Sequence, residues 1–305
     1  MNMSQFQHFD SFWTFTIMLK FRFFSDIHLD RFAYMFEKEI RRHKGDDFSQ
    51  FFWSPMPLED DAETTLIILG DLWVADKSIS FSNWSWLGSM CDRFKHVVIV
   101  LGNHDYWDSH LIRIHDKFRE FEKQWGNFHY LHNSSVVIDG VKLLGATLWT
   151  DMDKDQYAIE RARMMMNDFR YIKTGANDEY RGMRANDWIA EHIKSRQYIF
   201  EELAATTDIP CLVATHHSPS KVSFNDMSRC HEFFSDGSHS YYASSFIEPE
   251  IIDHPVKPLA WLHGHIHTSV KEVFAGIPLW SNPLGYTRFY DEFEKGIAQN
   301  DLFDK

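Results

Sequence analysis

Five short apolar segments, each followed directly by polar side chains, constrain the fold of this chain more than any other feature of its sequence. Each segment has four to six residues and is rich in residues that favour β-strands. Their near-continuous apolar character is typical of strands that are covered on both faces in an α/β fold. The segments span residues 19–24, 66–69, 97–101, 211–214 and 258–262.

Helical patterns and two hairpins fill the chain between and after these strands. Helices are predicted at residues 31–42, 83–94, 110–123 and 184–205. Hairpins are predicted at residues 136–148 and 270–280, turning at Asp139-Gly140 and Ala275-Gly276. We predict one α/β domain over residues 18–305 with a helical insertion at about 151–205. Residues 1–17 are predicted to lie outside the core, as an upstream start or a short packing arm.

Composition excludes several classes of protein. The chain of 305 residues is 44% hydrophobic and 16% aromatic, which is too apolar for intrinsic disorder, yet no run approaches the ~18 apolar residues of a membrane helix. A net charge of −13 disfavours binding to bulk nucleic acid but is compatible with a small phosphorylated substrate. The three widely spaced cysteines, Cys91, Cys211 and Cys230, form no disulfide or zinc pattern. We therefore predict a reducing, cytoplasmic environment.

The polar residues after the five strands are oxygen and imidazole ligands. They are Asp26 and His28, then Asp71, then Asn103 and His104, then His216 and His217, and finally His263, His265 and His267. In an α/β sheet, ligands bind beyond the carboxyl ends of the strands. Oxygen and imidazole donors without thiolates suit manganese, iron or zinc. Their number suits two ions that share a bridging carboxylate.

In this order the motifs resemble those of the calcineurin-like metallophosphoesterases. They are D-x-H at 26–28, G-D at 70–71, G-N-H-D at 102–105, a strand-terminal His at 216 and G-H-x-H at 264–267. The resemblance runs from about residue 18 to about residue 286. It implies a sandwich of two mixed β-sheets flanked by helices, with a metal site at the C-terminal strand ends. It also implies a phosphohydrolase that cleaves phosphomonoesters or phosphodiesters by in-line attack of a metal-bridging hydroxide.

The resemblance also divides the side chains between two divalent ions. It gives Asp26, His28 and His267 to the first ion and Asn103, His216 and His265 to the second, with Asp71 as the bridge. Manganese is the expected metal, and iron, zinc and nickel are the alternatives.

Two further residues receive catalytic roles from the resemblance. His104 is expected to stabilise charge on the phosphoryl group and to protonate the leaving oxygen. Asp105 is expected to orient the imidazole of His104. His217 and His263 are expected to lie outside the set of metal ligands.

Two segments are candidates for choosing the substrate, a nucleotide being one option. The insertion at 151–205 carries basic residues that either bind phosphate oxygens or form salt bridges on an exposed helix. These residues are Arg161, Arg163, Arg170, Lys173, Arg181 and Arg184. The segment at 218–254 contains Tyr241 and Tyr242, which either stack on a base or pack.

Two alternative functions remain open on the sequence alone. The first is a nuclease of the same superfamily, which the short, acidic chain disfavours. The second is a non-catalytic interaction module with structural metals, which the complete ligand set and His104 disfavour. A histidine at position 104 also disfavours the relatives that cleave lipid-linked pyrophosphates, because some of these carry arginine there.

Overall fold

The computed structural model describes residues 19–31, 49, 52–74, 80–175, 180–224, 243 and 247–285. Three sequence predictions lie outside these residues. They concern the extension at 1–17, nearly all of the helix at 31–42, and the tyrosines at 241 and 242.

The first sheet has four described strands, all of them parallel. They are β1 (Phe21–Phe24), β2 (Thr65–Leu69), β3 (His96–Val100) and β4 (Phe128–Tyr130). The spatial order is β1-β2-β3-β4, so consecutive strands are neighbours. Three of the predicted apolar segments form β1, β2 and β3, and β2 is buried along its whole length.

The second sheet has six described strands and is mixed. They are β5 (Ser134–Ile138), β6 (Val141–Ala146), β9 (Cys211–Thr215), β10 (Trp261–His263), β11 (Val270–Phe274) and β12 (Ile277–Ser281). Their order is β11-β12-β10-β9-β6-β5. The two predicted hairpins, β5–β6 and β11–β12, are antiparallel, and the other three pairings are parallel. The predicted sandwich of two sheets is confirmed, but only this sheet is mixed.

Alternating side chains of the strands face two different cores. On β2, Ile67 and Leu69 pack toward Leu143 and Leu212 of the second sheet. The intervening residues of β2 and β3 pack against two helices, α1 (Ser80–Arg93) and α2 (Ile114–Gln124). A strand that buries both rows of side chains must be apolar throughout, which is why these segments were recognisable in the sequence.

Residues 151–205, the proposed insertion, consist mostly of helices among the residues described. They contain α3 (Gln156–Met165), α4 (Asp168–Tyr171) and α5 (Ala185–Ala205). A small antiparallel pair, β7 (Lys173–Thr174) and β8 (Arg181–Gly182), lies between α4 and α5 and was not predicted. The second half of α5, including Ile199 and Leu203, packs on the second sheet, and so does α6 (Ile247–Asp253). Trp188 at the start of α5 packs in the other core, with Trp149. The sheets are therefore flanked by helices on both sides.

Helix α2 begins four residues later than the sequence pattern predicts. The ring Nδ1 of His110 accepts a hydrogen bond from the backbone N–H of Ile112, at 3.1 Å. Residue 110 also forms a bridge with Lys173, and the N–H of Leu111 donates to the carbonyl of Lys173 at 2.7 Å. These contacts with Lys173 of the insertion keep residues 110–113 out of the helix, so α2 begins after them. None of the described helices combines the length and apolar character needed to cross a membrane.

Candidate metal centre

The carboxyl ends of five strands meet at one place, but these strands come from both sheets. Strands β1, β2 and β3 belong to the first sheet, and β9 and β10 belong to the second. The C-terminal strand ends therefore form the expected site, and this site lies where the two sheets meet. All seven predicted ligand residues lie at this junction.

The first group of candidate ligands contains Asp26, His28, Asp71 and His267. One ligand atom from each lies within 4.8 Å of the others. The Nε2 atoms of His28 and His267 are 3.3 Å apart, and Nε2 of His267 is 3.2 Å from Oδ1 of Asp26. Imidazole and carboxylate donors that converge on one point are what a divalent cation requires.

The second group contains Asp71, His216 and His265, and Asn103 lies against it. Nε2 of His216 is 3.3 Å from Oδ1 of Asp71, 3.2 Å from Nδ1 of His265 and 3.1 Å from Oδ1 of Asn103. The ligand atoms of the three titratable residues lie within 4.8 Å of one another. Asp71 is the residue common to both groups, so the donor set fits two cations that share one carboxylate.

Backbone hydrogen bonds hold these side chains in place. The Asp26 carboxylate accepts the backbone N–H of His265, with a distance of 3.0 Å to Oδ2. Oδ1 of Asp71 accepts the N–H of His104 at 2.8 Å. Nδ1 of His216 lies 2.7 Å from the carbonyl oxygen of Leu69, so this nitrogen is assigned as the donor and Nε2 presents its lone pair to the site.

Burial and mutual contact set the charges of the site. Burial lowers the pKa of His265 well below its ordinary value, and the neighbouring His217 and His216 lower it further. Burial opposes charge on His216, yet the Asp71 carboxylate raises the pKa of His216 to about 9. Burial also opposes charge on Asp71, but His216 and His104 hold its pKa well below the ordinary value. The imidazole of His265 is therefore neutral near pH 7, whereas His216 and the Asp71 carboxylate form a charged pair.

Five of the seven candidate ligand residues have a left-handed backbone. Their φ angles are 54° at Asp26, 50° at His28, 52° at Asp71, 69° at His265 and 50° at His267. This conformation is rare for residues with a Cβ and costs of the order of 1–3 kcal/mol at each position. Such strain clusters at sites where the surrounding structure imposes a geometry.

Two glycines let the loops after β2 and β3 approach each other. A Cβ on Gly102 would lie 2.1 Å from Oδ1 of Asp71, and a Cβ on Gly70 would lie 2.3 Å from the backbone nitrogen of Gly102. Gly70 also has a φ of +83°. The glycines of the G-D and G-N-H-D motifs are therefore required by this close approach.

Asp105 does not take the role expected from the resemblance. Its Oδ2 accepts the backbone N–H groups of Gly102 and Asp71, and its Oδ1 accepts those of Leu72 and Trp73, at 2.7–3.0 Å. Both oxygens of this buried carboxylate thus bind the loops after β2 and β3 together. Asp105 is accordingly a residue that fixes the backbone of Asp71, rather than the residue that orients the imidazole of His104.

His104 lies at the rim of the site, beside both groups. Its Nε2 is 4.0 Å from Oδ2 of Asp71, and its side chain is 14% exposed. Its ring lies 4.7 Å from the ring of His28 and stacks on Trp107 with a centroid distance of 3.6 Å. Burial lowers the pKa of His104 to about 4.

His217 and His263 are buried behind the candidate ligands. The ring of His217 lies 4.2 Å from that of His265, and its Nδ1 is 3.1 Å from the carbonyl of Thr147. Nε2 of His263 is 3.0 Å from Oγ of Ser223. Neither histidine belongs to the two groups of converging ligand atoms found among the described residues.

Two of the basic residues of the insertion form salt bridges, and an acidic residue of the insertion lies near the site. Arg181 forms a salt bridge with Asp187, and Arg163 forms one with Glu160, which matches the salt-bridge alternative. Its contribution near the site is Asp168 of α4, a fully buried carboxylate next to Asn103 and Trp107. No sequence signal distinguished this aspartate, because it lies within an ordinary helical pattern far from every motif.

Comparisons with known proteins agree with this fold. The sequence matches the model of the family described as calcineurin-like phosphoesterase over residues 19–269. It is 23% identical over 247 residues to an uncharacterized protein, L509, of Acanthamoeba polyphaga mimivirus, which covers 75% of this chain and 80% of that protein. The crystal structure of phosphopantetheinyl hydrolase (PptH) from Mycobacterium tuberculosis is similar in fold, with a TM-score of 0.57 and 14% identity. That alignment covers 93% of this chain and 95% of PptH.

Proposed function

This chain belongs to the calcineurin-like phosphoesterase family, and from that membership we propose that it is a metal-dependent hydrolase of phosphomonoesters or phosphodiesters. The observation that carries the proposal is the pair of ligand groups that share Asp71. Bound divalent cations supply Lewis-acid charge toward a phosphoryl group and a more acidic water near neutral pH.

We assign the ligands from the geometry and the motifs together. Asp26, His28 and His267 would hold one ion, Asn103, His216 and His265 would hold the other, and Asp71 would be the ligand common to both. The His104 backbone N–H and the clamp made by Asp105 fix the Asp71 carboxylate. The absence of thiolate among these donors favours manganese, with iron, zinc or nickel as alternatives.

His104 is the proposed acid for the leaving oxygen. It is close to both ligand groups without belonging to either, and part of its ring is open to solvent. Burial lowers the pKa of His104 to about 4, so the negative charge of a bound phosphate must raise this pKa before the imidazole can donate a proton near neutral pH.

The proposed substrate is a small phosphoester, with nucleotides among the candidates. The formal charge of −13 repels long polyanions, whereas cations in the site attract a phosphate locally. A cytoplasmic location remains part of this proposal.

The decisive experiment measures hydrolysis of p-nitrophenyl phosphate and bis-p-nitrophenyl phosphate with and without added Mn²⁺, with elemental analysis of the same preparation. Asp71→Asn removes the charge shared by the two groups, so metal-dependent turnover is expected to fall by at least about 100-fold. Asp208→Asn is the matched control, because Asp208 is exposed and precedes β9 at the opposite end of that strand. Full turnover in Asp71→Asn would refute the assignment of Asp71 as the shared ligand.

The same preparation separates the two alternative functions. Degradation of DNA in a gel assay would favour a nuclease. Two tightly held ions without turnover of any phosphoester would favour a non-catalytic module with structural metals.

A further inference from the structure

The neighbourhood of His104 contains two side chains that no motif of the sequence assigns, Trp107 and Asp168. The rings of His104 and Trp107 are nearly parallel, with an interplanar angle of 24° and a centroid distance of 3.6 Å. Such a face-to-face contact fixes the plane of an imidazole, because rotation of the ring would break the stacking. Trp107 therefore determines how His104 faces the ligand groups.

The insertion in turn holds Trp107 in place. The ring of Tyr171 in α4 lies 5.4 Å from that of Trp107. The backbone N–H of Asp108 donates to the carbonyl of Tyr171 at 3.2 Å, and that of Lys173 donates to Ser109 at 3.0 Å. The loop that follows the G-N-H-D motif is thus joined to the end of α4 by both rings and backbone.

Asp168 connects α4 to Asn103 as well as to Trp107. Its side chain is fully buried, and the side chains of Asn103 and Trp107 lie next to its carboxylate. Neither its two oxygens nor the indole nitrogen of Trp107 has a partner of ideal hydrogen-bond geometry among the described residues. A buried carboxylate without full compensation is costly, which argues for a role other than stabilising the fold.

The chemistry of the two side chains indicates what that role is. Burial raises the pKa of Asp168 to about 7, and a hydrogen bond with the Asn103 side chain opposes that rise, as a bond donated to the ionised form does. The ionised carboxylate only accepts hydrogen bonds, so it pairs with the NH₂ group of the Asn103 amide and not with its oxygen. This pairing turns Oδ1 of Asn103 toward His216, and Oδ1 lies 3.1 Å from Nε2 of His216. The alternative flip of the amide would present a donor, which cannot bind a cation.

We propose that the insertion positions two side chains of the site. Asp168 fixes the amide orientation of Asn103, and Tyr171 holds Trp107, which fixes the ring of His104. The Trp107 half of this inference rests on the proposed function. The Asp168 half concerns metal binding and holds independently of the reaction.

The first test measures metal binding and stability of the Asp168→Asn variant of the full chain. An amide at 168 can donate to Oδ1 of Asn103 and so permits the wrong flip. We expect the affinity for one Mn²⁺ ion, measured by titration, to fall about 10- to 100-fold. The melting temperature of the metal-free protein should be unchanged or higher, because a buried charge has been removed. Unchanged affinity, or a melting temperature that falls in parallel with affinity, would overturn the proposal.

The second test compares phenyl phosphate, which has a poor leaving group, with p-nitrophenyl phosphate, which has a good one. If Trp107 positions the acid, Trp107→Ala should slow hydrolysis of phenyl phosphate at least about 10-fold and that of p-nitrophenyl phosphate much less. The same pattern is expected for His104→Ala. Trp107→Phe keeps a flat face and should restore most of the rate. Equal slowing of the hydrolysis of both substrates, or no slowing of either, would overturn the claim that Trp107 positions His104. Absence of turnover in the unmutated protein refutes the proposed function and leaves the metal-binding test valid.

Discussion

At the scale of single residues, the structure brings the predicted ligand residues together because each motif follows a strand directly. A short link after a strand leaves a side chain little freedom in where it can lie. The role of Asp105 was not predictable in the same way. Its partners are backbone N–H groups, three of them more than 30 residues away in the chain, and sequence does not identify such partners. Asp168 was missed for a similar reason, since only the fold brings it to Asn103.

Gly102→Ala tests the close approach of the two loops. The added Cβ would collide with Oδ1 of Asp71, at 2.1 Å, and with Cε1 of His216, at 2.6 Å. A displacement of about 1 Å at such a site can cost about 100-fold in rate, so metal-dependent turnover should fall by at least that factor. Gly126→Ala is the matched control, because a Cβ there meets nothing within 4 Å. Equal turnover of the two variants would contradict the argument.

The left-handed backbone at His267 gives a second prediction at this scale. His267→Gly and His267→Ala both remove the imidazole, but only glycine adopts a φ of 50° without steric cost. In urea unfolding without metal, the free energy of unfolding of His267→Gly should exceed that of His267→Ala by about 1 kcal/mol. The same pair of substitutions at Lys117, exposed within α2, should give the opposite order. A more stable alanine variant at 267 would show that the position relaxes when its side chain is lost.

At the scale of elements, apolar segments predicted the strands and hairpins, with ends shifted by a few residues. The sequence did not indicate how the strands divide between two sheets, because a strand buried on both faces has the same apolar pattern in either sheet. The two-residue strands β7 and β8 were too short to leave a pattern. The start of α2 was misplaced because a tertiary contact with Lys173 overrides the local preference of residues 110–113.

The first turn of α5 supports a prediction about pH. Oδ2 of Asp187 accepts the backbone N–H of Arg184 at 2.8 Å, and both carboxylate oxygens bind Arg181 at 2.6 and 2.9 Å. The hydrogen bonds from Arg181 lower the pKa of Asp187. Their stabilisation is therefore present above the unfolded value of about 3.9 and is lost as the pH falls through the lower folded value.

Asp187→Asn should consequently reduce the free energy of unfolding by about 1 kcal/mol at pH 7, a modest figure because the pair is largely solvent-screened. The difference from the unmutated protein should shrink as the pH falls below about 4. Denaturant unfolding across this range measures it. Glu160→Gln, which breaks the exposed i,i+3 pair with Arg163, should change stability very little at any pH. A constant difference for Asp187→Asn at all pH values would contradict the assignment.

At the scale of the whole molecule, the two sheets meet at the site through carboxylate and imidazole side chains that converge in two groups. Binding of Mn²⁺ should stabilise the folded state by about 2.7 kcal/mol per site at 100 times the dissociation constant. This corresponds to a rise of several degrees in melting temperature for a chain of this length. Thermal unfolding with Mn²⁺ and with a chelator measures the rise, and Asp71→Asn should abolish most of it. An equal rise in that variant would place the stabilising ion elsewhere.

The distribution of the site along the chain also sets the time at which it can form. The Nε2 atoms of His28 and His267 are 3.3 Å apart, although the residues are 239 positions apart. At roughly 5–20 residues per second, synthesis of the intervening chain takes about 10–50 s. During that time Asp26 and His28 can hold a cation only weakly, because the histidines that complete the site have not yet been made. Capture of the metal is therefore a late event that reports completion of the fold, and a ribosome stalled before residue 265 should carry a chain that does not retain the ion.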